Sequence, residues 1–454
     1  MTTTVPTTAR RAWTGPPRTA TPAMLRKLLK DRIGLMSWAA NTYGDAVKLS
    51  IGPVTLYFVN HPDHAKHVLT DNADNYHKGF GLAQAKRALG DGLLTSEGEL
   101  WRKQRKVIQP AFQHRRMARY ADVVTDEAAK LVARLRERGG GGPVQMTDEL
   151  TGLTLGVLGR TLLDADLGGF DSLGESFEAV QDQAMFEATT LSKVPVWVPL
   201  PKQVRLRRAR RDLQRVVDRL VTGREVRDGG SDDDVLSRLI VSTRQETDHR
   251  VGRQRMRDEL VTLLLAGHET TASTLGWTLW LLDRHPEVLE RVRAEAVQVL
   301  GDRAPKYEDL HGLTYTSTVI QEVMRLYPPV WMLSRLAQAD DRIDGLPIPA
   351  GANVMVCPYT LHRHPAFWDD PERFDPDRFA PEVHAGRPRY AYIPFGAGPR
   401  FCVGNHLGMM EATFVIAMLA RELRLAPVQG YEASAEPMLS LRMRGGLPMT
   451  VTPL

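Results

Sequence analysis

A chain of 454 residues, 43% hydrophobic and 25% charged, has the means for a large buried core and the surface of an ordinary globular protein. Its net charge of +5, spread over that length, does not argue for nucleic acid, and only two cysteines, Cys357 and Cys402, exclude a disulfide framework or a cysteine-rich zinc site. No uninterrupted apolar run reaches the length of a membrane span, so a cytoplasmic protein without a membrane anchor is expected.

The pattern reads as helix over 24–43, stopped by Gly44. Two β-branched runs, 47–51 and 55–59, flank Gly52-Pro53 and predict a hairpin. His61-Pro62-Asp63 opens a helix that ends near residue 71, and the glycine-interrupted stretch 75–92 reads as a loop with short helical pieces. Helical periodicity then dominates, at 100–108, 116–138, 148–163, 170–191 and 207–224. Within the last of these and just before it, Arg205, Arg207, Arg208, Arg210, Arg211 and Arg215 lack interleaved aromatics and keep company with Asp212 and Asp218. They predict a solvated helix face. Residues 256–283 form one long helix candidate, followed by helices at 286–300 and 316–327, the latter halted by Pro328-Pro329. Strand-like alternation returns over 335–357, and 438–452 reads as a β-hairpin around Gly445-Gly446. The sum is a mainly α chain with small β-sheets, expected as a loosely ordered leader, 1–23, and one integrated domain, 24–454.

Four stretches carry chemistry. Phe395-Gly396-Ala397-Gly398-Pro399-Arg400-Phe401-Cys402-Val403-Gly404 packs glycine and proline around one cysteine, which forces a tight, irregular backbone. Free N–H groups of such a loop, and the helix start after it, would stabilise a metal-binding thiolate. Taken alone, the segment also fits a buried free cysteine beside a glycine turn. Ala266-Gly267-His268-Glu269-Thr270-Thr271 interrupts the longest apolar helix with poor helix formers. There a Thr270 hydroxyl can bond the carbonyl of Ala266, and Gly267 offers a close approach to the backbone. Glu322 and Arg325, in Glu322-Val323-Met324-Arg325, stand at i and i+3 and can pair. The fourth stretch is Pro371-Glu372-Arg373-Phe374-Asp375-Pro376-Asp377-Arg378-Phe379.

In this order and spacing the four resemble the cytochrome P-450 family of haem-thiolate monooxygenases. The resemblance implies a single helix-rich fold enclosing haem b, with Cys402 as the axial thiolate ligand of its iron. It implies Trp101, Arg105, Arg335, Phe395 and Arg400 as further cofactor contacts, with Lys78 beside them. Thr270 would stabilise bound O2, and Glu269 would help relay protons. Glu322 and Arg325 would form a buried structural network completed by Arg378, with Arg373 as the alternative. The substrate pocket would draw on Phe186, Leu265, Ala266, Val330, Trp331 and Met438, joined by Val196 and Trp197. These apolar side chains suit a hydrophobic substrate: a terpenoid or fatty-acyl hydrocarbon ahead of a polyketide or steroid scaffold. Cys357, in a strand-like run, reads as core packing.

No Gly-x-Gly-x-x-Gly stands between a strand and a helix, so electrons would come from a ferredoxin and ferredoxin reductase. The basic residues Arg115 and Arg116 suit an acidic ferredoxin. A monomer is expected. From outside the enzyme class, a haem-binding sensor without turnover competes, and the intact Glu269-Thr270 pair argues against it.

Overall fold

Asp31 divides the first helical stretch in two. The helices Thr21–Lys30 and Arg32–Tyr43 meet at this residue, whose carboxylate accepts the Gly34 N–H at 2.8 Å and caps the second helix. A Cβ at Gly34 would lie 1.9 Å from that carboxylate, so glycine is what lets the cap close. The single helix expected over 24–43 is corrected accordingly. In the computed structural model the described residues are 12–52, 54–167, 173–195, 197–226, 234–244, 246 and 248–454. These fall into two units: those within 12–80, 331–372 and 387–401 make the first, and those within 81–330, 373–386 and 402–454 the second.

The first unit is built on a five-stranded sheet in the spatial order Ala46–Ile51, Val54–Val59, Asn353–Val356, Leu333–Ala337, Tyr76–Lys78. Val54–Val59 runs parallel to Asn353–Val356 and every other neighbouring pair is antiparallel. Lys78 stands directly opposite Arg335 in this register. Thr14 bridges to Val47, and Trp13 donates its indole N–H to the Pro347 carbonyl at 2.8 Å. Val59, Val68, Leu69, Val354, Val356, Leu361 and Ile393 fill the core beneath the sheet. Cys357 belongs to that interior; it is fully buried, and its Sγ–H donates to the Trp331 carbonyl at 3.1 Å.

The second unit is helical. Its longest element, His249–Arg284, packs against Met146–Leu162, Val235–Arg244, Thr314–Leu326 and Asn405–Glu422. Threonines inside this helix return their hydroxyls to the preceding turn: Thr270 to Ala266 O, Thr274 to Thr270 O and Thr278 to Thr274 O, at 2.8, 2.9 and 2.7 Å. Val235–Arg244 had no counterpart in the sequence reading, because ten residues give too few turns for a clear period. In Pro201–Val226, Arg205, Arg208, Arg211 and Arg215 face solvent as expected. Arg210 departs from that face and donates to the Arg87 carbonyl.

The tail is not one hairpin. Leu441–Met443 pairs with Ala435–Pro437, whereas Pro448–Pro453 pairs with Leu423–Pro427 and with Val144–Gln145. Gly445 and Gly446, with φ of 73° and 80°, carry the chain from one sheet to another. A Cβ at Gly446 would meet Gln145 and Thr147 at 2.7 Å, which pins the crossing there.

Candidate active site

The cysteine loop is shaped by two left-handed glycines, Gly396 and Gly398, with φ of 72° and 66°. Their settings differ. Nothing crowds Gly396, but a Cβ on Gly398 would sit 1.8 Å from the Leu69 carbonyl oxygen. Upstream, the Ile393 N–H donates to Nε2 of the buried His362 at 2.9 Å, which fixes the strand-like lead-in. A short 3-10 turn, Gly398–Arg400, then presents Cys402 just before the helix Asn405–Glu422.

Cys402 keeps surface open to solvent. Protein nonetheless surrounds it on its other sides, so burial pushes its thiol above the ordinary value, while the Gly404 N–H and the Arg105 guanidinium pull it back. A thiol with an N–H and a cation turned toward it is suited to a metal, since a coordinating cation deprotonates it outright. The donor set therefore fits one axial thiolate. Arg105 lies with its guanidinium 5.8 Å from the Trp101 ring centre and donates to Gln109 Oε1 at 3.2 Å. In the first unit, Arg335 is buried and donates to the Ser334 carbonyl at 3.0 Å. Like charges directly opposite in an antiparallel pair destabilise it, and the Lys78–Arg335 pairing suits a position for an anion such as a carboxylate. Arg400 lies in the 3-10 turn and Phe395 meets Phe401 edge-on at 6.3 Å.

On the long helix, Ala266 is exposed and Gly267, Glu269 and Thr270 are half-buried, between buried Leu264, Leu265, His268 and Thr271. An opening in the middle of a largely buried stretch of this helix fits a bound group placed against it. Gly267, expected to offer its backbone to that group, instead serves packing: a Cβ there would strike the Leu158 side chain at 2.7 Å. The open position is Ala266. His268 is turned inward, its Nδ1 2.6 Å from the Leu264 carbonyl and its ring 4.9 Å from that of Phe177; burial lowers its pKa to about 4. It is a neutral core residue.

Glu269 has partners that sequence reasoning missed. Ser440 Oγ donates to its Oε1 at 2.6 Å, and the Gln181 side chain lies near enough to favour its charged form. Burial pushes the carboxyl up, while Ser440, the Arg442 charge and Gln181 pull it down. Sequence carries no signal for these contacts, because Ser440 lies 171 residues away.

Glu322 and Arg325 are both fully buried and joined twice, Nε to Oε2 at 2.7 Å and Nη2 to Oε1 at 2.8 Å. The Asp375 N–H donates to Glu322 Oε1 at 2.9 Å, and Arg325 Nη2 also donates to the Arg373 carbonyl at 3.0 Å. Arg378 Nε stands 3.6 Å from Glu322 Oε1. Of the two arginines weighed for this network, Arg378 brings its charge and Arg373 only its carbonyl.

The pocket candidates differ in burial. Leu265 is buried, Phe186, Val330 and Met438 are half-buried, and Val196 lies outside the described residues. Trp331, in the first unit, is 4% exposed, and its carbonyl anchors Cys357 and the Tyr359 N–H. Trp197 is 77% exposed, which removes it from a buried pocket wall. Arg116 is buried as well, so of the two basic residues offered to a ferredoxin only Arg115 faces solvent.

The sequence profile of the cytochrome P-450 family matches residues 16–445. Among relatives, cyclooctatin synthase of Streptomyces melanosporofaciens is 36% identical over 88% of this chain and 87% of its own. Cyclooctat-9-en-7-ol 5-monooxygenase of the same organism is 35% identical over 86% and 84%. Pentalenene oxygenase of Streptomyces avermitilis is 32% identical over 88% of each. This chain belongs to the cytochrome P-450 family. It is a monooxygenase that uses haem b with a cysteine thiolate axial ligand, and it takes O2, a hydrophobic substrate and electrons from a redox partner. No described helix is long and apolar enough to cross a membrane.

Proposed function

We propose that this monooxygenase oxidises a terpenoid hydrocarbon, with Cys402 as the axial ligand and with electrons delivered to the monomeric enzyme by a ferredoxin and its reductase. The observation that carries the substrate class is similarity over nearly the whole chain to enzymes named for pentalenene and cyclooctat-9-en-7-ol, both polycyclic terpenoid skeletons. Apolar Leu265, Phe186, Val330 and Met438 support it. A greasy, weakly hydrogen-bonding wall holds such a skeleton by burial, at about 25 cal/mol per Å2 of apolar surface.

Haem bound through a cysteine thiolate supplies the activation of O2, because the anionic sulfur pushes electron density toward the iron and favours O–O cleavage. The chain's own residues do the rest. As the resemblance implies, Trp101, Arg105, Arg335, Phe395 and Arg400 would hold the haem, the three arginines by supplying positive charge to its propionates. Thr270 Oγ1 donates to Ala266 O, which loosens the helix locally and leaves a hydroxyl at the opening. Glu269 holds the proton that the reduction of O2 consumes. Glu322, Arg325 and Arg378 hold the fold and take no part in the reaction.

A spin-state screen of the haem-loaded protein across cyclic terpenes, fatty acids, steroids and macrolides tests the substrate class. Terpenes should give the tightest low-to-high-spin shift, and product should form when ferredoxin, reductase and NADPH are added. Tighter binding of a steroid, macrolide or fatty acid would overturn the assignment. Tight binding with no product under these conditions would favour a sensor.

A further inference from the structure

Glu269 is not a lone acid on a helix, and its surroundings point to a residue that controls it. The hairpin formed by Ala435–Pro437 and Leu441–Met443 lies along one stripe of the long helix. Glu269, Ser273 and Trp277 recur at i, i+4 and i+8 on that stripe. Ser273 Oγ and Trp277 Nε1 both donate to the Leu441 carbonyl, at 2.6 and 3.4 Å, and the Leu441 N–H donates to the Pro329 carbonyl at 2.8 Å. Both backbone groups of Leu441 are therefore spent on holding the hairpin in place. The preceding residue, Ser440, is 3% exposed and delivers its hydroxyl to Glu269 Oε1 at 2.6 Å. Its backbone is fixed as well, since the Met438 N–H donates to the Ser440 carbonyl at 2.9 Å.

Gln181, 4% exposed on the helix Leu173–Thr190, also favours the charged form of this carboxyl, and its own Oε1 has no hydrogen-bond partner among the described residues. Arg442, paired with Glu436 at 2.9 Å, is the charged group that acts on Glu269.

We infer that Ser440 is a positioning residue for the monooxygenase reaction, whose hydroxyl orients the Glu269 carboxyl and serves it in both of its protonation states. The inference rests on the proton-relay role proposed for Glu269. A proton donor must exist charged and neutral in turn, and a partner that only donates favours the charged state alone. A serine hydroxyl both donates and accepts, by rotation about its C–O bond. It donates to the ionised carboxylate in a charge-assisted bond and accepts from the protonated acid in a weaker, neutral one, without any heavy atom moving. Arg442 can only stabilise the charge. Burial opposes the charge, so the two tendencies are set against one another and the hydroxyl decides between them.

The test uses the haem-loaded enzyme with Ser440→Ala, Ser440→Thr and Glu269→Gln, and reads two quantities. One is the infrared C=O band of the protonated Glu269 carboxyl as a function of pH, assigned by its loss in Glu269→Gln. The other is product formed per NADPH consumed. Ser440→Ala should move the infrared titration up by about one pH unit and lower coupling several-fold, at unchanged substrate affinity. Ser440→Thr should restore both. Should Ser440→Ala fail to load haem, Ser440→Cys keeps the size, weakens the donor and must show the same two changes. A wild-type titration and coupling in Ser440→Ala, or failure of threonine to restore them, overturns the inference while leaving Glu269 in its role. Wild-type coupling in Glu269→Gln removes the proton-relay role and the inference together.

Discussion

Glu322 and Arg325 form a two-point ion pair inside the second unit with neither side chain exposed to solvent. Exposed helical pairs at this spacing contribute tenths of a kcal/mol. Burial changes the sign of the problem. Removing one partner strands the other charge in a medium that does not solvate it, at a cost of about 3–5 kcal/mol. Glu322→Ala should therefore yield misfolded or haem-free protein and not a slow enzyme. The amount of carbon monoxide-binding haem per mole of purified protein checks this, and a well-folded, fully loaded variant would refute it.

The cysteine loop offers a matched pair of substitutions. Gly396 and Gly398 have nearly the same φ, 72° and 66°, so alanine pays the left-handed penalty at both, roughly 1 kcal/mol. Only at position 398 does the new Cβ also meet a backbone carbonyl, that of Leu69. Gly398→Ala should lower the melting temperature and haem retention well beyond Gly396→Ala. Equal effects would show that the approach to Leu69 is not limiting.

Cys402→Ser removes the soft ligand and leaves the loop intact. The reduced, carbon monoxide-bound protein should lose the thiolate-type Soret maximum. Retention of that maximum would assign the ligand elsewhere, and Cys357, buried against the Trp331 carbonyl, would be the residue to replace next.

Glu259, on the long helix, is 2% exposed, and its Oε2 accepts the Leu93 N–H at 3.0 Å. Burial raises its pKa to about 8; the Leu93 N–H and the Gln104 side chain lower it, and neighbouring Asp258 adds to the rise. The folded chain thus holds a proton that the unfolded chain releases from about pH 4.5 upward. Stability from this group is lost as pH climbs through that window and levels off above about 8. Glu259→Gln should equal the wild type near pH 4 and exceed it above pH 8, by at most about 5 kcal/mol. Melting temperatures across that range decide it, and a constant difference at all pH values would refute it.

What sequence could reveal here was short-range. The cysteine loop lies within ten residues and the Glu322–Arg325 pair within one helical turn, so spacing alone exposes both. The acid at 269 was equally visible, but its partners come from a helix and a hairpin far along the chain, and no local pattern encodes them. Tertiary contact also reassigned residues whose type was read correctly. Gly267 is small because Leu158 presses against it, Arg210 leaves its solvated face for a carbonyl, and Trp197 is apolar yet exposed. The turn at Gly445-Gly446 is real, but its two flanking strands joined different neighbours, a choice that turn chemistry does not make.

The adjacent positions 266 and 267 divide between them what a lineage of such enzymes can change. At 267 any side chain must first displace Leu158, and the penalty falls on the packing of two long helices. At 266 the side chain is exposed, at the opening that fits a bound group. Larger residues there compete with the bound group and the substrate for the same room. A library at position 266 is read by haem retention and substrate preference, and one at 267 by melting temperature, since there the end of the Leu158 side chain has to shift. Adaptation to a new carbon skeleton thus draws on the room beside the bound group at one position and on helix packing at the next.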